Sequence, residues 1–280
     1  MPAKPTLAAL ARVLAPALLG WYTLDRALKL AAVVAFFRRP APPAPPAWPG
    51  VTLVQPITRG RHDLAPILRA RRALDYPGAV RHLVVCDRAD HATQERCRAL
   101  LGPGATILLA DPDGGAIASK VAKLQVALPQ LDGEIACFVD DDVALPPTAL
   151  QALVAPLARD EVGATFGLAR YISWGTVWSS LMSLFVNSNA LLSYLPLAAL
   201  TEPFTITGHC FALRRATLAA IGGLDGLDRR IDDDHEFARR VRARGLRIVQ
   251  TPLLYDVTNE LDSPAAYHAQ LKRWFVFPGR

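Results

Sequence analysis

Residues 134–147 read Glu134-Ile135-Ala136-Cys137-Phe138-Val139-Asp140-Asp141-Asp142-Val143-Ala144-Leu145-Pro146-Pro147. The unbroken apolar run from Ile135 to Val139 predicts a strand buried on both faces, with three carboxylates at its C-terminal end. No Lys or Arg in this stretch can pair them. Adjacent aspartates repel one another, so the arrangement calls for a cation from elsewhere. A hard divalent ion such as Mg²⁺ or Mn²⁺ suits carboxylate oxygens and completes its shell with substrate phosphates, which suggests a metal holding a diphosphate. A solvated acidic turn in which Asp caps the next helix is the competing reading.

On both sides of this stretch, short apolar runs alternate with helical spacing. Upstream, Val51–Gln55, His82–Cys86 and Thr106–Ala110 predict strands, and Leu64–Leu74, Thr93–Leu101 and Ser119–Leu128 predict helices. Downstream, Leu150–Leu157 continues as a helix and Gly163–Leu168 reads as an edge strand. Thr205–Leu213 reads as a strand with Gly208 inside it, a feature that marks close approach by a ligand or another backbone. Leu246–Thr251 is a late strand and Ala266–Phe277 a helix. The order predicts an α/β fold, a doubly wound and mostly parallel sheet with flanking helices, whose ligands lie beyond the strands' C-terminal ends. Asp87 and Asp90 fall at one such end and Asp140 to Asp142 at another, which predicts one crevice. A third acidic group, Asp232, Asp233 and Asp234, opens a helix marked by Phe237, Ala238 and Val241, where the dipole favours anions. Capping uses one of the three, leaving another for catalysis.

The 280-residue chain is 51% hydrophobic, with a mean hydropathy of +0.21, which makes membrane contact a live reading. A net charge of +6 without any Lys/Arg block interleaved with aromatics argues against nucleic acid and for attraction to an anionic lipid surface. The four cysteines lack metal-ligand spacing and read as reduced core thiols. Leu7–Phe37 is apolar but interrupted by Asp25, Arg26 and Lys29. Asp25 and Lys29 are four apart and suited to pair on one helix face. Residues 1–39 thus form a membrane anchor or an interfacial helix, and Arg38 and Arg39 place the downstream chain on the cytoplasmic face. Residues 40–50 are a stiff Pro-rich linker, and 51–280 the main domain. Within it, Tyr171–Leu200 carries no charge and is either a buried core helix or an interfacial helix that receives a lipid. Trp174, Trp178 and Phe185 are correspondingly core aromatics or lipid-facing ones.

Three acidic groups in this order, followed by Gln270-Leu271-Lys272-Arg273-Trp274, resemble the inverting glycosyltransferases that include ceramide glucosyltransferase, cellulose synthase and chitin synthase. Pro49-Gly50-Val51-Thr52, Leu74-Asp75-Tyr76-Pro77, Thr207-Gly208 and Gly222-Gly223-Leu224 are most similar to the ceramide glucosyltransferase branch. The resemblance runs from about Gly50 to Trp274. It implies a GT-A fold, a UDP-sugar donor, a divalent metal (Mn²⁺ or Mg²⁺) and a membrane lipid acceptor such as ceramide. Carried over by position, Asp87 or Asp90 contacts the nucleoside, and Asp140 and Asp142 form the Asp-x-Asp-like element, with Asp142 nearest the metal. Lys120 matches a lysine that precedes the second acidic site, and Asp234 matches the general base. Gln270, Arg273 and Trp274 match the signature near the diphosphate and acceptor. Two departures stand out: the extra aspartates shift the register by one residue, and relatives continue into further membrane helices where this sequence ends shortly after Trp274.

The implied chemistry is a direct displacement in which Asp234 takes the acceptor's proton while Arg273 and the metal stabilise the departing diphosphate. No nucleophilic side chain is needed, and the six histidines are dispersed. His209 reads as a structural histidine or as lining for the acceptor site. A nucleotidyltransferase would need a Gly-rich strand-to-helix loop, and Val51–Asp63 has only Gly60. The non-enzymatic alternative is a membrane-tethered, catalytically inactive lipid-binding or scaffold protein on the same fold.

Overall fold

Eight strands hydrogen-bond into one sheet in the order β3-β2-β1-β4-β7-β6-β8-β5, in a computed structural model that describes residues 7–61, 63–111, 119–229 and 233–275. The expectations for His62 and Asp232 lie outside the described residues. The first half is the alternation that the apolar runs foreshadow: β1 (Val51–Pro56), α2 (Leu64–Arg72), β2 (Val80–Asp87), α3 (His91–Leu101), β3 (Ala105–Ala110), α4 (Ser119–Ala127) and β4 (Ile135–Val139), preceded by α1 (Leu7–Phe37). These four strands are parallel neighbours, and β1 and β4 are buried at every position. Helices on both faces force this pattern, since each face must be apolar.

The second half departs from the expectation of a mostly parallel sheet. β7 (Cys210–Arg214) runs antiparallel to both β4 and β6 (Val162–Tyr171), β6 pairs parallel with β8 (Arg247–Val257), and the two-residue β5 (Val143–Ala144) closes antiparallel on β8. The sheet is therefore mixed. Gly163–Leu168 is not an edge strand: β6 is ten residues long, buried throughout except at Arg170, and flanked on both sides. Its two glycines explain a register that alternation cannot show, because β6 slips against β8 around Gly163 and Gly167. Thr205–His209 is likewise outside the strand, so Gly208 sits in the turn that feeds β7.

The remaining helices are α5 (Ala149–Val154), α6 (Val177–Asn189), α7 (Leu195–Leu200), α8 (Arg215–Ala220), α9 (Asp233–Ala243) and α10 (Pro264–Phe275). A π-helical turn, Ala190–Tyr194, joins α6 to α7. One face of the sheet packs with α4, α8 and α9 around Phe138, Phe211 and Phe237, and the other with α5 and α6 around Leu53, Tyr171 and Tyr255. Trp48 of the Pro-rich segment stacks edge-on against Tyr76, whose hydroxyl donates to Pro49, so the end of that segment is seated on the domain.

α1 is one continuous helix, and Asp25 pairs with Lys29 at 3.1 Å and with Arg26. Its C-terminal end is docked: Phe36 is buried with Leu168, Ala190 and Leu195, and Arg39 donates to the carbonyl of Ala198. Along the rest, Leu18, Leu19, Trp21, Tyr22 and Leu28 are exposed. The Val177–Leu200 stretch is long and apolar enough to cross a membrane by length and composition, yet Met182, Ser183, Ala190 and Leu195 are buried in the domain. Val177, Leu184, Leu197 and Leu200 face out. Trp178 and Phe185 pack on the core, and Trp174 is exposed.

Candidate active site

The apolar strand β4 ends where Asp140 begins a turn, and the structure finds cations for it that the local sequence does not contain. Lys120 on α4 holds Asp140 Oδ1 at 2.7 Å and donates to the carbonyl of Gly208 at 2.6 Å. Arg61 lies 3.6 Å from Asp141, whose other oxygen accepts the backbone N–H of Thr58 at 2.6 Å. Beneath the turn, the fully buried Arg71 donates to the carbonyls of Asp140 and Val143 and to Gln55 Oε1. Burial pulls its guanidinium down to about 10, opposed by the three aspartates, which still leaves it charged at neutral pH. The positive charge that the acidic stretch itself lacks thus comes from elsewhere in the chain. Lys120 from α4 pairs with Asp140 and Arg61 from the loop after β1 faces Asp141, while Arg71 from α2 holds the backbone of the turn.

Asp142 is the exception. Its Oδ1 is shielded from solvent and has no hydrogen-bond partner among the described residues. Burial, then the charges of Asp140 and Asp141, push its carboxyl up to about 7. An orphaned carboxylate oxygen beside two others is the donor chemistry a hard divalent cation satisfies. Among the described residues no group of three or more His, Cys, Asp or Glu side chains closes a metal cage. The fit is to an open site, with Asp142 and Asp140 as ligands and a diphosphate supplying the remaining oxygens.

The first acidic group divides. Asp90 caps α3, accepting the N–H and hydroxyl of Thr93 and the N–H of Gly60, and these hydrogen bonds hold its carboxyl below the usual range. Asp87, at the end of β2, faces Lys123 at 3.3 Å, and Lys123 also donates to the carbonyl of Ile57 at the end of β1. Lys120 and Lys123 are three apart on one helix face, so α4 ties together the ends of β1, β2 and β4. Sequence reading missed Lys123. Its signal was the i, i+3 spacing from Lys120.

Asp234 enters the same neighbourhood from α9: its Oδ2 accepts the N–H of Gly208 at 2.9 Å. The close approach that Gly208 announces is this carboxylate, since a β-carbon there would collide with it. Residue 208 thereby links Asp234, through its N–H, to the Lys120–Asp140 pair, through its carbonyl. The next residue completes the floor, with the His209 carbonyl accepting the N–H of Asp140 at 2.9 Å and its Nε2 lying 3.1 Å from the Tyr171 hydroxyl.

α10 reaches this floor from the far side. Trp274 meets Tyr171 edge-on at 6.4 Å and stacks on Phe185 at 6.5 Å, and the Arg273 charge acts on both Tyr171 and His209. Gln270 lies on the same helix, but its side chain makes no hydrogen bond among the described residues. The turn after β8 fixes α10's approach, because the Thr258 N–H donates to the Asp142 carbonyl at 3.0 Å and its hydroxyl to Asp63 at 2.6 Å.

Comparison with known proteins places this geometry. The model of glycosyl transferase family 21 matches residues 17–277. In solved structures, the chain is similar to a mannosyltransferase from Pyrobaculum calidifontis, determined in complex with GDP-Man and Mn²⁺, with a TM-score of 0.64 at 22% identity over 89% of this chain and 72% of that one. Among curated proteins, it is 30% identical over 138 residues to the O-antigen biosynthesis protein RfbC of Myxococcus xanthus, a match that takes in 45% of this chain and 11% of that protein.

Proposed function

The chain belongs to glycosyl transferase family 21, and from that premise we propose that it moves a sugar, glucose in the first instance, from a UDP-sugar to a membrane lipid acceptor such as ceramide, with inversion. The observation that carries this reading is the Asp234–Gly208–Lys120–Asp140 relay, which joins a candidate base to the acidic end of β4. In a single displacement, the base must face the attacking oxygen from the side opposite the leaving diphosphate, and a shared backbone unit sets that spacing.

In this reading Asp234 takes the acceptor's proton. Asp87, steadied by Lys123, and Asp140, steadied by Lys120, orient the nucleoside and ribose side of the donor. Arg273 lends positive charge to the departing diphosphate, and Trp274 shuts water out over Tyr171. A divalent ion on Asp142 and Asp140 would supply Lewis-acid stabilisation of the same phosphates. The similar mannosyltransferase was solved with a nucleotide sugar and Mn²⁺.

The acceptor side is supported by an apolar cleft of about 470 Å³ lined by Trp174, Val177, Leu181 and Leu184, which is suited to acyl chains. The exposed leucines of α1 and of α6–α7 would seat the enzyme on the cytoplasmic face of a membrane. Incubating the protein with Mn²⁺, membrane lipid extract and, in turn, UDP-glucose, other UDP-sugars and GDP-mannose tests the proposal. A new glycolipid formed with UDP-glucose is the expected product. Transfer from GDP-mannose alone would replace the donor, and no metal-dependent nucleotide binding at all would leave the inactive lipid-binding or scaffold protein.

A further inference from the structure

This inference deepens the membrane half of the proposed function and rests on it, not on the transfer chemistry. α7 lies between two basic segments that are far apart in the chain. On one side is the end of α1, where Phe36 clusters with Leu195 and Arg39 donates to the carbonyl of Ala198, with Arg38 exposed beside it. On the other is the end of α9. The segment leaving α7 is tied there twice, by Glu202 to Arg247 at 2.6 Å and by Phe204, whose ring meets that of His235 edge-on at 6.3 Å. From His235 to Arg247 the chain holds five arginines and one carboxylate, Glu236, which is buried and engaged by Arg239 and Arg240. Arg242 and Arg244 are exposed and make no side-chain hydrogen bond or ion pair among the described residues. Arg239 and Arg242 share the exposed face of α9 with His235, at helical spacing.

The apolar side of this surface is α7 itself. Leu200 is 83% exposed, the largest value among the described large apolar side chains, and Leu197 and Phe204 are exposed on the same segment. Guanidinium groups flanking protruding apolar side chains suit a surface that meets lipid headgroups and enters the acyl boundary. The course of α1 says what covers it. An apolar helix that ends at Arg38 and Arg39 leaves the bilayer at that level, so α7, docked on the same end, sits at the headgroups with α9 alongside. A soluble polyanion would satisfy the arginines but leave Leu200 in water. We propose that the exposed arginines of α9, Arg239, Arg242 and Arg244, together with the protruding Leu197 and Leu200 of α7, dock on an anionic phospholipid surface. Asp234 lies in the first turn of the same helix, about 12 Å along its axis from Arg242. Docking of α9 therefore sets the height of the candidate base above the layer in which a lipid acceptor presents its hydroxyl.

A fluorophore on Ala243→Cys reads this docking in the full-length protein, since the four native cysteines are buried and Ala243 is exposed. The labelled protein is reconstituted into bilayer discs of phosphatidylcholine alone, or of phosphatidylcholine mixed with an equal part of phosphatidylglycerol, and quenching by a headgroup spin-labelled lipid is measured. Quenching is expected in the anionic discs and should fall in neutral ones and at high salt. Arg242→Gln with Arg244→Gln should shift the docking equilibrium toward release by about tenfold or more, at about fivefold per arginine. Arg96→Gln with Arg98→Gln on α3, exposed and equal in charge removed, should leave it at the wild-type value. Quenching that is equal in neutral and anionic discs, unchanged in the α9 pair, or lost as much in the α3 pair overturns the proposal while the protein is still in the bilayer. Protein that enters neither kind of disc ends the membrane reading itself, and this surface with it.

Discussion

Asp234 and Gly208 are joined by a hydrogen bond of 2.9 Å between a side-chain carboxylate on α9 and the backbone N–H of the turn that feeds β7. A side chain at residue 208 must displace that carboxylate, because its β-carbon would occupy the carboxylate's place. Gly208→Ala is therefore expected to displace the candidate base while leaving the sheet intact. Glycolipid formation should fall by about a hundredfold, the scale of a misplacement near 1 Å, with circular dichroism unchanged. Full activity in a folded Gly208→Ala protein would separate residue 208 from catalysis.

Asp142 gives a pH dependence with a definite sign. A carboxyl raised from the ordinary 3.8 to about 7 by burial and like charge opposes folding once it ionises. That cost is absent below the unfolded value, grows as pH rises between the two, and is complete above about 7. Metal-free Asp142→Asn should accordingly melt higher than wild type at pH 8 and equal to it at pH 3.5. Mn²⁺ should raise the wild-type midpoint at pH 8 and leave the asparagine variant unmoved. Thermal scans with and without Mn²⁺ read both, and a Mn²⁺ shift that survives in the variant would remove Asp142 from the metal site.

Lys123 should matter more than its sequence suggests. Lys123→Met takes the ammonium from Asp87 and from the Ile57 carbonyl, leaving a half-buried carboxylate unsupported. The expected result is about a tenfold weaker nucleotide affinity, from the loss of one charged hydrogen bond. Arg88→Met, which breaks only the exposed pair with Asp111, should change it by less than about twofold. Titration calorimetry distinguishes them.

The two exposed apolar faces should act in membrane attachment. Replacing Leu18, Trp21 and Leu28 with serine on α1, or Leu181 and Leu184 on α6, is expected to reduce co-flotation with anionic phospholipid vesicles, since each buried leucine contributes about 1.5–3 kcal/mol. The α6 pair should also raise KM for a lipid acceptor more than for a soluble, short-chain one. Flotation unaffected by both sets would place the membrane contact elsewhere.

The β-α alternation was legible because β1 and β4 are buried at every position, and β1 to β4 each carry an apolar run bounded by turns. The antiparallel half was not, because β5 is two residues long, β6 slips at its glycines, and β7 draws its partners from distant segments. At the site, acidic residues at strand ends were visible as types in an order. Their cations were not: Arg61, Arg71 and Lys123 sit in unremarkable helical and loop contexts, and only the fold brings them to Asp141, the β4 turn and Asp87. Asp90 illustrates the converse. Sequence placed it beside Asp87 as an equal candidate, yet geometry gives its oxygens to Thr93 and Gly60 as a helix cap.

The central claim is that Asp234 activates the acceptor at a site whose nucleotide-binding half is separate from it. The most direct measurement sets Asp234→Asn beside wild type in two assays on the same membrane-reconstituted preparation, nucleoside diphosphate affinity with Mn²⁺ and rate of sugar transfer to lipid. Affinity within about twofold of wild type, with transfer lowered by roughly 10²–10⁴-fold as expected for a lost general base, is the predicted result. Transfer at the wild-type rate, or loss of nucleotide binding together with transfer, would contradict it.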